Sequence, residues 1–139
     1  MKIAVITGAS SGMGREFAVQ LAAQETFDEI WIIARRKNRL EELKKELSVP
    51  CRVLPMDLTD EAALESYSLL LKQEKPEVSL LINAGGFGRF GRYDQIPLED
   101  CMDMIDLNCK ALVAMTQRTL PYIPKGGRIL QVDFSRCRI

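Results

Sequence analysis

Short apolar runs alternate with amphipathic stretches along almost the whole chain, and that alternation restricts the fold more than any other feature. Ile3-Ala4-Val5-Ile6, Ile30-Trp31-Ile32-Ile33, Cys51-Arg52-Val53-Leu54, Val78 to Ile82 and Arg128 to Val132 read as five strands. Met13, Phe17 and Leu21 mark one face of a helix after the first strand. Leu40, Leu43 and Leu47 line a second helix, with Glu41, Glu42, Lys44 and Lys45 on its reverse. Thr59-Asp60, good N-cap residues, open a third helix carried by Leu64, Tyr67 and Leu71. A long fourth helix runs from about Leu98 to Tyr122 and is ended by Pro124 and Gly126-Gly127. Strands of uniform apolar character alternating with helices predict a parallel sheet covered on both faces. With right-handed crossovers this becomes an α/β fold, a doubly wound parallel sheet in the order 3-2-1-4-5.

Composition narrows the chemistry. The 139 residues amount to one domain, read here as 1–139, and 47% of them are hydrophobic, enough to bury a core. Lys plus Arg and Asp plus Glu are 19 each, so no basic excess exists to follow a phosphate backbone and no nucleic-acid partner is expected. The absence of histidine excludes Ser-His-Asp triads, Cys-His pairs and His-containing zinc sites. Cys51, Cys101, Cys109 and Cys137 form no C-x-x-C pair, and no metal site is expected from them. No run approaches the length of a membrane span and no signal-type stretch opens the chain. The expectation is a cytoplasmic protein with no membrane partner.

Between the first strand and the first helix stands Thr7-Gly8-Ala9-Ser10-Ser11-Gly12-Met13-Gly14. Glycines at such a junction let the backbone turn tightly and let a diphosphate approach the main chain. The free N–H groups that open the next helix favour an anion, and Ser10 and Ser11 add hydroxyl donors. The spacing is G-x-x-x-G-x-G, neither the G-x-G-x-x-G of other dinucleotide folds nor a P-loop. Taken alone, it is also compatible with an ordinary glycine-rich turn.

The full motif and two further segments decide between those readings. TGASSGMG resembles the TGxxxGxG signature of the short-chain dehydrogenases/reductases. Asn83-Ala84-Gly85, closing the fourth strand, resembles the family's NAG motif. Asp57-Leu58, after the third strand, resembles its adenine-ring contact. The matches fall at family intervals and span roughly the first half of a typical member. The resemblance implies a Rossmann fold, incomplete at its C-terminal side, and a nicotinamide dinucleotide held by these residues. It also implies hydride transfer to a carbonyl or from an alcohol, the small-molecule substrate of a full-length parent.

The second strand ends Ile33-Ala34-Arg35-Arg36. An NAD-specific site places a carboxylate here to accept from the ribose hydroxyls. Arg35 and Arg36 instead suit a 2′-phosphate, which guanidinium groups bind through charge-assisted hydrogen bonds, so NADP(H) is the expected cofactor. The competing reading is a solvated basic loop that also includes Lys37 and Arg39.

Members of the family work with a Tyr-x-x-x-Lys pair, a serine and an asparagine that holds a water of the proton relay. Asn108 matches that asparagine. Tyr67, Tyr93 and Tyr122 are followed four residues later by Leu71, Pro97 and Gly126, so the pair is missing. Without it a chain is expected to bind cofactor and not to turn over. The loop Gly85 to Gly91 is expected to border the nicotinamide end, or to serve as a plain connector.

After Val132 the sequence reads Asp133-Phe134-Ser135-Arg136-Cys137-Arg138-Ile139. The family serine falls on Phe134, with Ser135 one position late. A slip of reading frame after codon 132 and a simply divergent or cut terminus both account for this ending. Either way the chain is read as a truncated half, with an uncovered strand edge and exposed apolar helix surface. Self-association or a homo-oligomer is the expected consequence.

Overall fold

A computed structural model of the chain describes residues 1–86 and 91–132. At its centre β1 (Lys2–Thr7) pairs with β2 (Glu29–Ala34) on one side and β4 (Glu77–Asn83) on the other. β3 (Cys51–Pro55) and β5 (Arg128–Gln131) form the edges, and every pairing is parallel. The order β3-β2-β1-β4-β5 is the one the apolar runs predict.

Register and pleat divide the core in two. Val5 stands beside Trp31 of β2 and Leu81 of β4, so all three face the same side. On that side Ile3, Ile33 and Val78 join them beneath Tyr67, Leu71 and Met115. On the other side Ala4, Ile6, Ile30, Ile32 and Ile82 lie beneath Ala18, Leu40 and Leu43. β1, β2 and β4 are buried on both faces, which is why they read as continuous apolar runs rather than alternating ones.

α1 (Gly12–Gln24) and α2 (Lys37–Glu46) cover one face. α3 (Glu61–Glu74) covers the other, capped by Asp60, whose carboxylate accepts from the Ala62 amide at 3.1 Å. Beside it runs the long helix expected over Leu98 to Tyr122. It consists of α4 (Leu98–Ile105), a π-helical turn at Asp106–Lys110, α5 (Ala111–Thr119) and a closing 3₁₀ turn at Leu120–Tyr122. Buried Tyr67 of α3 and Thr119 of α5 share a 2.8 Å hydroxyl hydrogen bond across this layer.

Met13 does not share the core face of α1: it is 48% exposed, and the sheet side is formed by Gly14, Phe17, Ala18 and Leu21. Successive i, i+4 steps drift by about 40°, so Met13 lies roughly 80° from Leu21 and leaves the stripe. No described helix is long and apolar enough to cross a membrane. The α4–α5 surface exposes Leu98, Met102, Ile105 and Val113, and all four residues of β5 are exposed.

Candidate dinucleotide cleft

The C-terminal ends of β1, β2 and β4 open into a cleft of about 570 Å³, a volume in the range of small-molecule sites. Its floor and rim come from four strand-to-helix connections, which the parallel order brings side by side. The β1–α1 turn supplies Gly8, Ser10, Ser11, Gly12 and Met13; the end of β2 supplies Ala34, Arg35 and Arg36. Asp57 and Leu58 follow β3, and Ala84 and Gly85 follow β4.

Backbone geometry explains the glycines of the first turn. Gly8 has φ +65°, and a Cβ there would collide with the carbonyl of Ala84. A Cβ on Gly14 would strike the carbonyl of Gly8, so the first turn of α1 sits directly on the end of β1. Gly12 is different: φ is +57°, but nothing lies within 4 Å of its Cβ position. Its requirement is conformational, and the open space beside it belongs to the cleft. α1 begins at this glycine with no acidic residue in its first turn, and Ser11 makes no side-chain cap bond to it. Ser10, Ser11 and Gly12 at this helix opening line the cleft, where free helix-opening amides suit an anion.

Thr7, Gly14 and Asn83 stand behind the wall rather than on it. Thr7 Oγ1 accepts from the amides of Ala84 at 3.1 Å and Gly85 at 3.0 Å, tying the end of β1 to the chain leaving β4. Asn83 Nδ2 donates to Thr116 Oγ1 at 3.1 Å and to Gln131 Oε1 at 2.8 Å, which joins β4 to α5 and β5. These residues shape the site from beneath. The sequence motif does not distinguish such a role from direct contact.

The cationic side of the cleft is equally specific. Neither Arg35 nor Arg36 forms a salt bridge with another described residue, and both are exposed. The Arg36 guanidinium reaches Ser10 Oγ at 3.4 Å, so the basic loop leans onto the glycine-rich turn. Asp57 accepts from the Thr59 hydroxyl at 2.7 Å and from its amide at 3.0 Å. The Thr59 hydroxyl bond, with help from its amide and the nearby Arg35 charge, holds the Asp57 carboxyl below the usual range despite some burial.

Asn108 sits in the π-helical turn, half-buried, and is not among the residues that line the cleft, although its neighbour Leu107 is. π turns inside α-helices are frequent at functional positions, because the extra residue displaces a backbone carbonyl from the regular ladder. No described tyrosine lines the cleft. Tyr67 is fully buried in the core, where burial raises its pKa, Tyr93 is 92% exposed, and Tyr122 packs against the core beneath α5. Phe87 to Phe90 and Asp133 to Ile139, including Phe134, Ser135 and Cys137, lie outside the described residues.

Sequence reading missed Ile33, Met56, Thr59, Asp103 and Leu107, which also line the cleft, as does Gly86 from the loop expected at the nicotinamide end. Asp103 and Leu107 are one helical step apart, at i and i+4, a spacing visible in the sequence. What the sequence withholds is that this helix crosses the mouth of the cleft.

The family profile described as short chain dehydrogenase matches residues 2–135. An uncharacterised oxidoreductase of Staphylococcus epidermidis is 30% identical over 133 residues, covering 94% of this chain and 57% of the relative. Among solved structures, serine dehydrogenase from Escherichia coli superposes with a TM-score of 0.74 at 32% identity, over 87% of this chain and 55% of that one. A short-chain dehydrogenase from Sphingobium yanoikuyae, solved in complex with NADPH, gives a TM-score of 0.73 at 30% identity, over 87% and 48% of the two chains. The chain thus spans about half the length of the relatives it matches. With the profile running through all five strands and solved members sharing the sheet and its connections, the chain belongs to the short-chain dehydrogenase family of oxidoreductases.

Proposed function

We propose that this chain is the cofactor-binding part of an NADP(H)-dependent oxidoreductase that acts on a carbonyl or an alcohol. The observation that carries the reading is the pairing of a backbone-lined cradle at Gly8–Gly14 with two guanidiniums, free of salt bridges to described residues, at the end of β2. The residues fit the ligand class. The amides that open α1 hold a diphosphate, while Arg35 and Arg36 hold a phosphate on the adenosine ribose. Asp57 accepts from the adenine amino group beside apolar Leu58, and Ala84 and Gly85 bring backbone to the middle of the dinucleotide.

When bound, the nicotinamide supplies or takes the hydride. The chain's own part is to bind, to orient and to place Asn108 near the reacting end, where it would hold a water of the proton relay. Because no described tyrosine reaches the cleft, the 139 residues alone bind the cofactor without turnover. The Sphingobium relative bound to NADPH supports the cofactor class.

Calorimetric titration with NADPH and NADH tests this reading. NADPH should bind tighter, and Arg35→Ala should weaken it by roughly 10–100-fold, the scale of one or two charge-assisted hydrogen bonds, with little effect on NADH. Tighter NADH binding would overturn the cofactor assignment. Absence of binding by either nucleotide would overturn the dinucleotide reading itself. Absorbance at 340 nm with a panel of carbonyl compounds should show no turnover by this chain.

A further inference from the structure

Where the ends of β1 and β4 meet the middle of the long helix, the chain encloses a small hollow behind the wall of the cleft. Thr7 and Asn83 bring polar side chains to it, and apolar Leu58, Leu107 and Ala111 make most of the rest. Leu58 and Leu107 also line the cleft, so the two spaces share a wall. The hollow leaves about 10 Å³ for the centre of a water molecule, on the order of what one water needs. No charged side chain lines it. We infer that this hollow is the site of one resident water, which accepts the Thr7 hydroxyl proton and donates to the side-chain oxygen of Asn83.

Hydrogen bonds already made around these two side chains leave one donor and one acceptor over. Thr116 has a single hydroxyl proton, and it goes to the Leu112 carbonyl at 2.7 Å. Thr116 Oγ1 can therefore only accept from Asn83, which fixes the Asn83 amide group with Nδ2 on that side. The second Nδ2 proton goes to Gln131 Oε1. Neither Thr116 nor Gln131 lines the hollow, so the nitrogen is turned away from it. The oxygen remains: Asn83 is 3% exposed, and no described residue donates to its Oδ1. Thr7, 2% exposed, has the opposite imbalance. Both lone pairs of its Oγ1 are taken by the Ala84 and Gly85 amides, and no described residue accepts its proton. The two groups do not bond each other directly. Polar atoms in native interiors are paired, through protein or through ordered water. One water supplies both missing partners and stays neutral, as a wall without charges requires. An ion would lack a counter-charge there, and an apolar molecule would leave both groups unpaired. The site braces the β1–β4 junction and does not depend on a nucleotide in the cleft.

A high-resolution crystal structure of the full chain tests the site without any substitution. One solvent peak should stand within about 3.2 Å of both Thr7 Oγ1 and Asn83 Oδ1. Absence of that peak, or an Asn83 amide turned the other way, would overturn the site. In solution, the Ala84 and Gly85 amide protons should show nuclear Overhauser cross-peaks to water, with the sign of a long-lived contact. Exchange of the Thr7 hydroxyl proton with solvent produces similar peaks, and a variant separates the two sources. Ala111→Val enlarges a lining side chain by two methyl groups and leaves Thr7 in place. The cross-peaks should be lost in this variant, while the rest of its amide spectrum reports that it is folded. Cross-peaks that persist at full strength would assign them to the hydroxyl and overturn the water. Should the variant fail to fold, the crystal of the unsubstituted chain decides.

Discussion

β3 and β5 are both edge strands of one sheet, and each pairs with a single neighbour, yet they are held in different ways. β3 buries Cys51 and Leu54 beneath the helices on either side. Its Arg52 bonds Glu29 at 2.6 Å and Glu74 at 3.1 Å while lying over the Trp31 ring at 5.1 Å. β5 exposes all four residues, including Ile129 and Leu130, and is anchored by Arg128 to Glu25 at 2.6 Å and by Gln131 to Asn83 and Thr116. Ladder hydrogen bonds alone do not fasten an edge strand, because water offers the same bonds to the separated chains. Cover over its two faces does. The cleft opens at the ends of β1, β2 and β4 and takes residues from the segment after β3, but none from β5, so its geometry does not depend on the exposed edge.

The glycine turn joins the two halves, and it gives the largest expected effect. Gly8→Ala would need left-handed backbone and would also drive a methyl group into the Ala84 carbonyl, an atom that cannot swing aside. Adding strain and overpacking gives a loss of about 5 kcal/mol in denaturant unfolding, at the upper end of both effects. Gly12→Ala carries the same kind of backbone strain with open space around it, and should cost only about 1 kcal/mol. Similar losses for the two substitutions would mean that the β1–β4 junction is not tightly closed.

The second prediction addresses the sheet directly. Leu81 of β4 is fully buried, and Leu81→Ala should lose about 3 kcal/mol through transfer and cavity terms. Leu130 of β5 is 40% exposed, and Leu130→Ala should lose less than about 1 kcal/mol, because little apolar area returns to water. Parity between them, read from the shift in denaturant midpoint at constant slope, would break the contrast between the covered strand and the exposed one.

Much of this arrangement is legible in the chain itself, for physical reasons that also mark where legibility stops. Ile30 to Ile33 had to be interior because four consecutive apolar residues leave no polar face for water. Gly8 and Gly12 were conspicuous because few other residues tolerate their backbone. Met13 was misplaced because i, i+4 spacing is blind to drift over two turns, and it faces the cleft instead. Thr7 and Asn83 belong to the motif yet lie behind the wall, since a motif records necessity and not contact. The π turn around Asn108 has no signature in the residue pattern of the long helix.

A third prediction concerns pH on the cleft side. The Thr59 hydroxyl bond lowers the Asp57 pKa in the folded state, so its stabilising contribution is present above the ordinary aspartate pKa and is lost as pH falls through the lowered one. Adenine recognition through this carboxylate should weaken over the same acid interval. Carbonyl-carbon NMR titration reads the group directly, and Thr59→Ala should move its pKa upward toward the unperturbed range. An unmoved value would assign the shift to Arg35 instead of to the Thr59 turn.

The smallest effect is the most direct comparison of the two edges. Cys51 opens β3, and burial raises its thiol to about 11, only partly offset by the nearby charge of Lys44. The thiolate is the reactive form, so at neutral pH Cys51 is both shielded and protonated, and alkylation there requires β3 to open. Ile129→Cys places a thiol at the matching edge on β5, in a residue that is 36% exposed in the native chain. Peptide mass spectrometry after brief alkylation should find position 129 modified, together with exposed Cys109, while Cys51 remains unmodified until denaturant is added. Equal labelling of positions 51 and 129 in the native protein would show that cover by α2 and α3 does not hold β3 closed, and the asymmetry of the sheet would lose its physical basis.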